Sequence, residues 1–381
     1  MKKVLIVAPH YLPGYKGGGP IRTIANLVDW LGNEFEFHIF TADRDLGDER
    51  PYPSIEPQEW CQVNSARVRY LAPHEASWSG LKSVLQHLPR FDLVYVNSFF
   101  APLCVKLMLL RGQFPGRPPI LVAPRGEFAA GALRLKRRKK HAYLTLVRSL
   151  RLYRSVTWQA TTDAEIAEIK RIFRTNNVLL APNLPPQSVP DTQAITKESG
   201  CVSLVFISRI TKIKNLDYAL RVLARVDGEV QFDIFGNIED ESYWKVCQQL
   251  MTELPDNVTA TYRGGIVPQD VYSVFSKYHA FFFPTWGENF GHVILEALLS
   301  GCLVLTSDQT PWRDLPTNQV GWNIPLAERK AFQDAIQELV AMGPAEFQHR
   351  TGRARDYGRR YLEDPAIVET NRQMLLRAMG E

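Results

Sequence analysis

Short apolar runs such as Val4-Leu5-Ile6-Val7-Ala8 and Ala280-Phe281-Phe282-Phe283 alternate along this chain with longer stretches whose apolar residues recur every three or four positions. The runs read as strands buried on both faces, and the periodic stretches as helices covering them. Strands are predicted at 3–8, 35–41, 67–71, 92–97, 119–123, 156–160 and 177–181, with helices at 20–31, 80–88, 101–111, 138–153 and 163–173. A second series follows, with strands near 202–207, 230–235, 258–263, 279–283 and 302–305. After residue 327 the chain turns helical, since Phe332, Ala335, Ile336, Leu339 and Val340 repeat at helical spacing. This alternation predicts an α/β fold of two doubly wound Rossmann-like domains facing across a cleft, with ligands at the carboxyl ends of the strands.

The stretch Pro182-Asn183-Leu184-Pro185-Pro186-Gln187-Ser188-Val189-Pro190 carries too many prolines for a helix or a central strand and stays polar to Gly200. It divides the chain into a first domain over 1–184, a linker over 185–200 and a second domain over 201–362. The last helix, about 365–379 within 363–381, is a candidate to pack back on the first domain. A length of 381 residues suits two domains, and 45% hydrophobic with 22% charged residues is a globular composition. Cys61, Cys104, Cys201, Cys247 and Cys302 are scattered, with no Cys-x-x-Cys pair, which fits a reducing compartment and argues against structural zinc. The start Met1-Lys2-Lys3 followed by a short apolar run ending at Pro9 reads as a buried strand instead of a leader peptide. No window approaches the roughly 20 apolar residues of a bilayer span.

The chemistry concentrates in Gly287-Glu288-Asn289-Phe290-Gly291-His292-Val293-Ile294-Leu295-Glu296, which follows an apolar strand and opens a helical segment. One carboxylate falls at the strand-to-helix turn and the other two turns inside the helix, and at about 1.5 Å per residue they lie roughly 12 Å apart along the axis, too far for a shared proton or a single metal but suited to gripping one long ligand. Between them, the N–H groups of Asn289, Phe290, Gly291 and His292 would face an anion at the positive end of the helix. Arg209 and Lys214 fall in the loop after strand 202–207, where cations would neutralise a diphosphate. Gly236 and Gly264-Gly265 end two further strands and would let a nucleotide approach the backbone. Gly17-Gly18-Gly19-Pro20 follows the first strand and has neither the Walker A nor the dinucleotide glycine pattern, yet could close over phosphates. Asp43-Arg44-Asp45 carries metal-binding residue types, but it belongs to the first domain, apart from Arg209 and Lys214, and no metal site is expected.

Together, the Glu288 and Glu296 pair, the Ser208-Arg209 to Lys214-Asn215 segment, the Gly17 to Gly19 loop and the Pro182-Asn183 hinge resemble the retaining glycosyltransferases of family 4, which have the GT-B fold. The resemblance covers essentially the whole chain. It implies that Glu288 faces the donor sugar, Glu296 holds the ribose and Arg209 and Lys214 bind the diphosphate. Asn289, Phe290 and Gly291 would add main-chain contacts, and Gly18, Gly19 and Gly236 would line the nucleotide site. The family often has histidines where this chain has Tyr95 and Asn97 and, further on, Arg125-Gly126-Glu127. Glu127 and Arg125 thereby become the acceptor-side candidates. A retaining transfer on one sugar face is implied, with a donor phosphate oxygen taking the acceptor proton and no cofactor or metal required.

The expected activity is transfer of a hexose from a UDP or GDP sugar to a glycan acceptor, lipid-linked, in assembly of surface polysaccharide such as O-antigen, capsule or exopolysaccharide. Two other readings stay open: a sugar-nucleotide epimerase on the same fold, and a non-catalytic partner that binds a nucleotide sugar or a membrane. The formal charge of +5 is mild, but 134–154 holds a dense run of Lys and Arg, from Arg134 through Lys140 to Arg148, Arg151 and Arg154, and no acid. Interleaved with Leu144, Leu146, Val147, Leu150 and Leu152, it reads as a surface helix attracted to anionic lipid. That places the protein in the cytoplasm, peripheral to the inner face of the cell membrane. Its few aromatics argue against nucleic acid.

Overall fold

The computed structural model describes residues 1–53, 55, 59–86, 89–134, 137–193 and 195–381, and of Ala130 the backbone only. Residues 87 and 88 of the predicted 80–88 helix, and Leu135 and Lys136 of the basic run, lie outside this set. The chain forms two compact units, Met1–Gln187 with Asp364–Glu381, and Ser188–Glu363.

In the first unit β1 (Lys2–Val7), β2 (Phe35–Ala42), β3 (Trp60–Val63), β4 (Ala66–Leu71), β5 (Leu93–Asn97), β6 (Ile120–Ala123), β7 (Thr157–Ala160) and β8 (Val178–Leu180) make one sheet. Its order is β3-β4-β2-β1-β5-β6-β7-β8, and only β3 runs antiparallel to its neighbour. Val4, Leu5, Ile6 and Val7 are wholly buried because β1 lies between β2 and β5 with helices over both faces. The sequence pattern does not predict β3: Trp60, Cys61 and Val63 are only partly covered at this edge, so apolar and polar residues do not separate cleanly.

The second unit's sheet contains β9 (Cys201–Ile207), β10 (Glu229–Phe235), β11 (Val258–Gly264), β12 (Ala280–Phe283), β13 (Leu303–Ser307) and β14 (Gly321–Ile324). All its pairings are parallel, in the order β11-β10-β9-β12-β13-β14. Successive strands step away from β9 on one side and then restart beside it at β12, which is the doubly wound arrangement. The same reversal occurs between β1 and β5. Loops at the carboxyl ends of β1, β5, β9 and β12 therefore flank the switch points, where such sheets bind ligands.

The proline-rich stretch is tied down at both ends. Asn26 Nδ2 donates to Leu184 O at 2.7 Å, and Trp30 Nε1 to Pro185 O at 2.8 Å, so its start is part of the first unit. Further on, the buried Lys197 ammonium donates to Glu198 O and Cys201 O at 2.6 Å each and reaches Val340 O and Met342 O at 3.4 Å. A cation there caps the carboxyl end of helix Arg329–Ala341 and anchors the stretch to the second unit. The final helix, Pro365–Met379, belongs to the first unit: Asn371 Nδ2 donates to Pro182 O at 2.8 Å, and Arg372 reaches both Glu34 oxygens at 2.6 and 2.7 Å.

Candidate functional site

Two loops meet at the switch point of the second sheet. After β9 the chain runs through Arg209 and a short 3₁₀ turn, Lys212–Lys214, to Asn215. After β12 it runs irregularly from Pro284 to Gly291 before helix His292–Leu299 begins. Asn215 Nδ2 donates to Pro284 O at 2.8 Å, Trp286 N to Ile213 O at 2.8 Å, and the buried Thr285 hydroxyl to Ile213 O at 3.1 Å. The second loop is also held from behind: Glu288 N donates to Gln309 O at 3.1 Å and the Ser307 hydroxyl to Thr285 O at 2.5 Å. Buried polar groups that satisfy one another in this way fix both loops without a ligand.

On this frame the Lys214 ammonium donates to Glu288 Oε1 and lies 5.3 Å from the centre of the Phe283 ring. Both members of the pair keep some solvent access, at 12% and 15%. Arg209 pairs with Glu239 at 2.6 Å and is more exposed, at 38%. Three of the predicted residues, Arg209, Lys214 and Glu288, are thus brought to the carboxyl ends of β9 and β12, each in an ion pair.

Glu288 lies in the strand-to-helix turn and Glu296 inside the helix, as expected, but the helical rise of roughly 12 Å between them is corrected. Gly291, at φ 80°, is the residue before the helix, and Glu296 is its fifth residue, so a single helical rise does not connect the two acids. A β-carbon at Gly291 would be strained by this positive φ, which turns the chain sharply before the helix starts. Asn289, Phe290 and Gly291 precede the helix, whose ladder begins with Ile294 N donating to Gly291 O at 2.8 Å. Their N–H groups still lie at its positive end. The Phe290 side chain is structural: it packs on Trp312 at 5.6 Å and Tyr361 at 5.3 Å, while its carbonyl accepts from Trp312 Nε1 at 2.6 Å. Glu296 is buried at 6% between Leu295 and Ala297, an expensive place for a carboxylate without a polar purpose.

Gly236 is required by the fold itself. At φ 144°, its missing β-carbon would lie 1.8 Å from Ser208 O, so the glycine makes room for the chain's own backbone after β9. In the first unit, Gly18 (φ 73°) precedes helix Gly19–Leu31. The loop before it is pinned by Asp45, whose carboxylate accepts from the N–H of Tyr15 at 2.7 Å, Lys16 at 3.0 Å and Leu46 at 2.8 Å. Asp43 is taken by Arg44 at 2.7 Å, so the Asp-x-Asp segment has work within the fold. Among the described residues no group of three or more His, Cys, Asp or Glu is placed to hold a metal.

The acceptor-side candidates also sit at strand ends. Glu127, just after β6, accepts from the Ser98 hydroxyl at 2.8 Å and from the N–H of Phe99 at 2.6 Å and Phe100 at 3.0 Å. It thereby holds the turn after β5, where Ser98 adopts φ 124°, a conformation rare for any residue but glycine. Burial pushes its carboxyl above the usual 4.5, against the opposing pull of those three donors. Both Glu127 oxygens are thus engaged in the turn. Arg125 (φ 56°) donates to Asn97 Oδ1 at 2.5 and 3.0 Å, Asn183 Oδ1 at 2.9 Å and Tyr95 Oη at 2.7 Å. The adjacent Gly126 N–H goes to Glu165 Oε1 at 2.8 Å, and Thr161 meets Glu165 Oε2 at 2.9 Å.

Sequence reading misses Thr285, Ser307, Ser98 and Glu165, and it names Asn215 without its contact to Pro284. Glu165 had a usable signal, the Thr162-x-x-Glu165 cap spacing, and Thr162 does accept from Glu165 N at 3.2 Å. The others act through partners 22 to 72 positions away, which no local pattern encodes.

Residues 191–356 match the family model described as Glycosyl transferases group 1. The chain finds no match among curated proteins. Among solved structures it resembles sucrose-phosphate synthase from Thermosynechococcus elongatus, at 17% identity and a TM-score of 0.76 over 100% of both chains. It also resembles Anabaena HepE solved with UDP-glucose, at 13% identity and 0.67 over 100% of both chains. WaaG, a glycosyltransferase involved in lipopolysaccharide biosynthesis, matches at 16% identity and 0.65 over 93% of this chain and 95% of its own. At these identities the likeness is one of fold, and that fold is GT-B. The group 1 match supports a glycosyltransferase built on it.

Proposed function

We propose that this protein is a retaining, metal-independent glycosyltransferase that moves a sugar from a nucleotide diphosphate donor to a lipid-linked glycan in surface polysaccharide assembly. The observation that carries the reading is the paired Lys214 and Glu288 at the carboxyl ends of β9 and β12, with Arg209 in the same loop as Lys214. Each cation has a carboxylate to neutralise it until a diphosphate arrives. The Arg209 fork and the Lys214 ammonium then turn to the phosphate oxygens and stabilise the charge that grows as the leaving group departs. Lys214 in this way takes over work that a divalent ion does elsewhere. Glu288, released from its lysine, accepts from the donor sugar's hydroxyls and holds its anomeric carbon in place. Glu296 takes the ribose hydroxyls, and the N–H groups of Asn289 to Gly291 add to the anion site.

In the reaction the bond from the anomeric carbon to the diphosphate oxygen breaks, and the acceptor oxygen bonds to that carbon on the same face. The acceptor proton passes to the departing phosphate oxygen, so no protein base has to take it. This suits an acceptor side on which Glu127 is already engaged by three donors.

A membrane-bound acceptor fits the helix Arg137–Ser149 and the residues beyond it, where Leu146 is 54% and Leu150 61% exposed beside Arg148 and Arg151. The proposed location is accordingly the cytoplasmic face of the cell membrane. Among the described residues no helix is long and apolar enough to cross a membrane.

The test is a thermal-shift screen of UDP and GDP sugars, followed by NMR of the stabilising donor with and without acceptor. A ligand at 100 times its dissociation constant should stabilise by about 2.7 kcal/mol. Transfer that survives EDTA with retained anomeric configuration supports the reading. Conversion of the donor alone into an epimer, or inversion at the anomeric carbon, overturns it.

A further inference from the structure

A groove of about 560 Å³ opens on the first unit between helices Arg137–Ser149 and Asp163–Phe173. Arg134, Arg137, Arg148 and Arg171 line it, over a floor that includes Leu144 and Ile172. Residues 137, 144 and 148 share one helix face at i, i+7 and i+11, so their common direction follows from the helical repeat. Among the described residues none of the four guanidinium groups is paired with a carboxylate. A surface built only for solubility mixes its charges. Four like charges around one concavity repel each other and favour a multivalent anion among them.

We propose that this groove binds the diphosphate that joins an acceptor glycan to its lipid. The proposal rests on the lipid-linked acceptor above and names where its anionic joint is held. Arginine forks match phosphate oxygens two at a time, so four of them suit two phosphorus centres. Leu144 and Ile172 then receive the first carbons of the lipid, with the exposed Leu146 and Leu150 further along the same segment. A second face of the same helix leads to the acceptor side. Tyr143 packs on Phe99 at 5.4 Å, and the Lys140 ammonium lies 4.8 Å from the Phe100 ring. Phe99 and Phe100 are the residues whose N–H groups Glu127 holds. One helix therefore connects the groove with the turn after β5.

The test titrates geranyl diphosphate, a water-soluble prenyl diphosphate, into the full-length protein by calorimetry without membranes. It uses wild type, Arg209→Ala as a control for binding at the donor site, and the triple variant Arg137→Ala, Arg148→Ala, Arg171→Ala. The exposed arginines should be removable without loss of fold, checked by circular dichroism, and a triple Arg→Lys variant serves as a second reading. Support is salt-sensitive binding by wild type and Arg209→Ala that weakens at least tenfold in the alanine triple variant and less in the lysine one, with geraniol not binding. Equal binding by wild type and the alanine triple variant, or none by wild type, overturns the proposal. So does a triple variant that loses sedimentation with phosphatidylglycerol vesicles while geranyl diphosphate binding is unchanged, since the groove would then be a lipid-headgroup contact. A wild type that binds geranyl diphosphate here but no nucleotide diphosphate sinks the transferase reading and leaves the groove's ligand class standing.

Discussion

Glu127 after β6 and Glu288 after β12 are both glutamates in strand-end loops, and both have polar partners, but the partners differ in kind. Glu288 meets a lysine ammonium, which can exchange it for a phosphate. Glu127 meets two backbone N–H groups and a hydroxyl in its own unit, which would have to break a turn to let it go. A carboxylate with a side-chain cation at a partly open position is available for chemistry, whereas one that completes a backbone turn is part of the scaffold. The arginines divide the same way. Arg209 has an exposed carboxylate as partner, while Arg125 spends its fork on Asn97, Asn183 and Tyr95.

The contrast is sharpest if the two glutamates are removed. Glu288→Gln should lower transfer by about 10²–10³-fold, the scale of one lost electrostatic contact in a transition state. Glutamine keeps an oxygen that accepts from the Lys214 ammonium, so the melting temperature should fall less than that of a variant that leaves covered donors without an acceptor. Unchanged turnover would break the site assignment. Glu127→Ala should do the reverse. It leaves three donors without an acceptor and should destabilise by about 3 kcal/mol, read by denaturant melting, with nucleotide affinity in the second unit unaltered. A stable Glu127→Ala protein with abolished turnover would return Glu127 to the catalytic group.

Arg209→Ala comes next, with donor affinity lower by roughly tenfold, equivalent to about 1.4 kcal/mol, and little change in melting. Loss of stability without loss of affinity would make Arg209 scaffold like Arg125.

The smallest expected effect is a pH dependence. His279 Nδ1 accepts from Ser203 N at 2.8 Å, so its proton sits on Nε2 and donates to Thr196 O at 3.0 Å. Burial lowers its pKa below the ordinary 6.5. The unfolded chain therefore binds a proton that the folded chain refuses, and the contribution is complete above about pH 6.5 and declines as pH falls below it. Burial acts oppositely on Glu127, whose raised pKa makes the folded state the better proton binder, so stability there declines as pH rises above 4.5. Melting curves between pH 5 and 7 should show a slope that His279→Gln loses. An unchanged slope would mean that His279 contributes nothing to it.

Much of the fold was legible because its signal is local. Among the described residues, apolar runs located twelve of the fourteen strands to within a residue or two, missing β3 and β14, and Glu288, Arg209 and Lys214 fell at strand ends that those runs define. The glycine at 236 was noticed, but its reason lies in Ser208, a neighbour only after β9 and β10 pair. The linker's composition marked the boundary, yet Asn26 and Lys197, which tie it down, carry no sequence sign of doing so.

Sequence alone therefore placed the two α/β repeats, the proline-rich stretch between them and the positions of Glu288, Arg209 and Lys214 at strand ends, because periodicity and proline content act within a few residues. It could not tell a carboxylate that waits for a ligand from one that closes a turn. That distinction depends on which hydrogen-bond donors arrive from elsewhere in the chain. Glu127 meets Ser98 from 29 positions away and Glu288 meets Lys214 from 74, and only folding decides that one partner is backbone turn and the other an exchangeable cation.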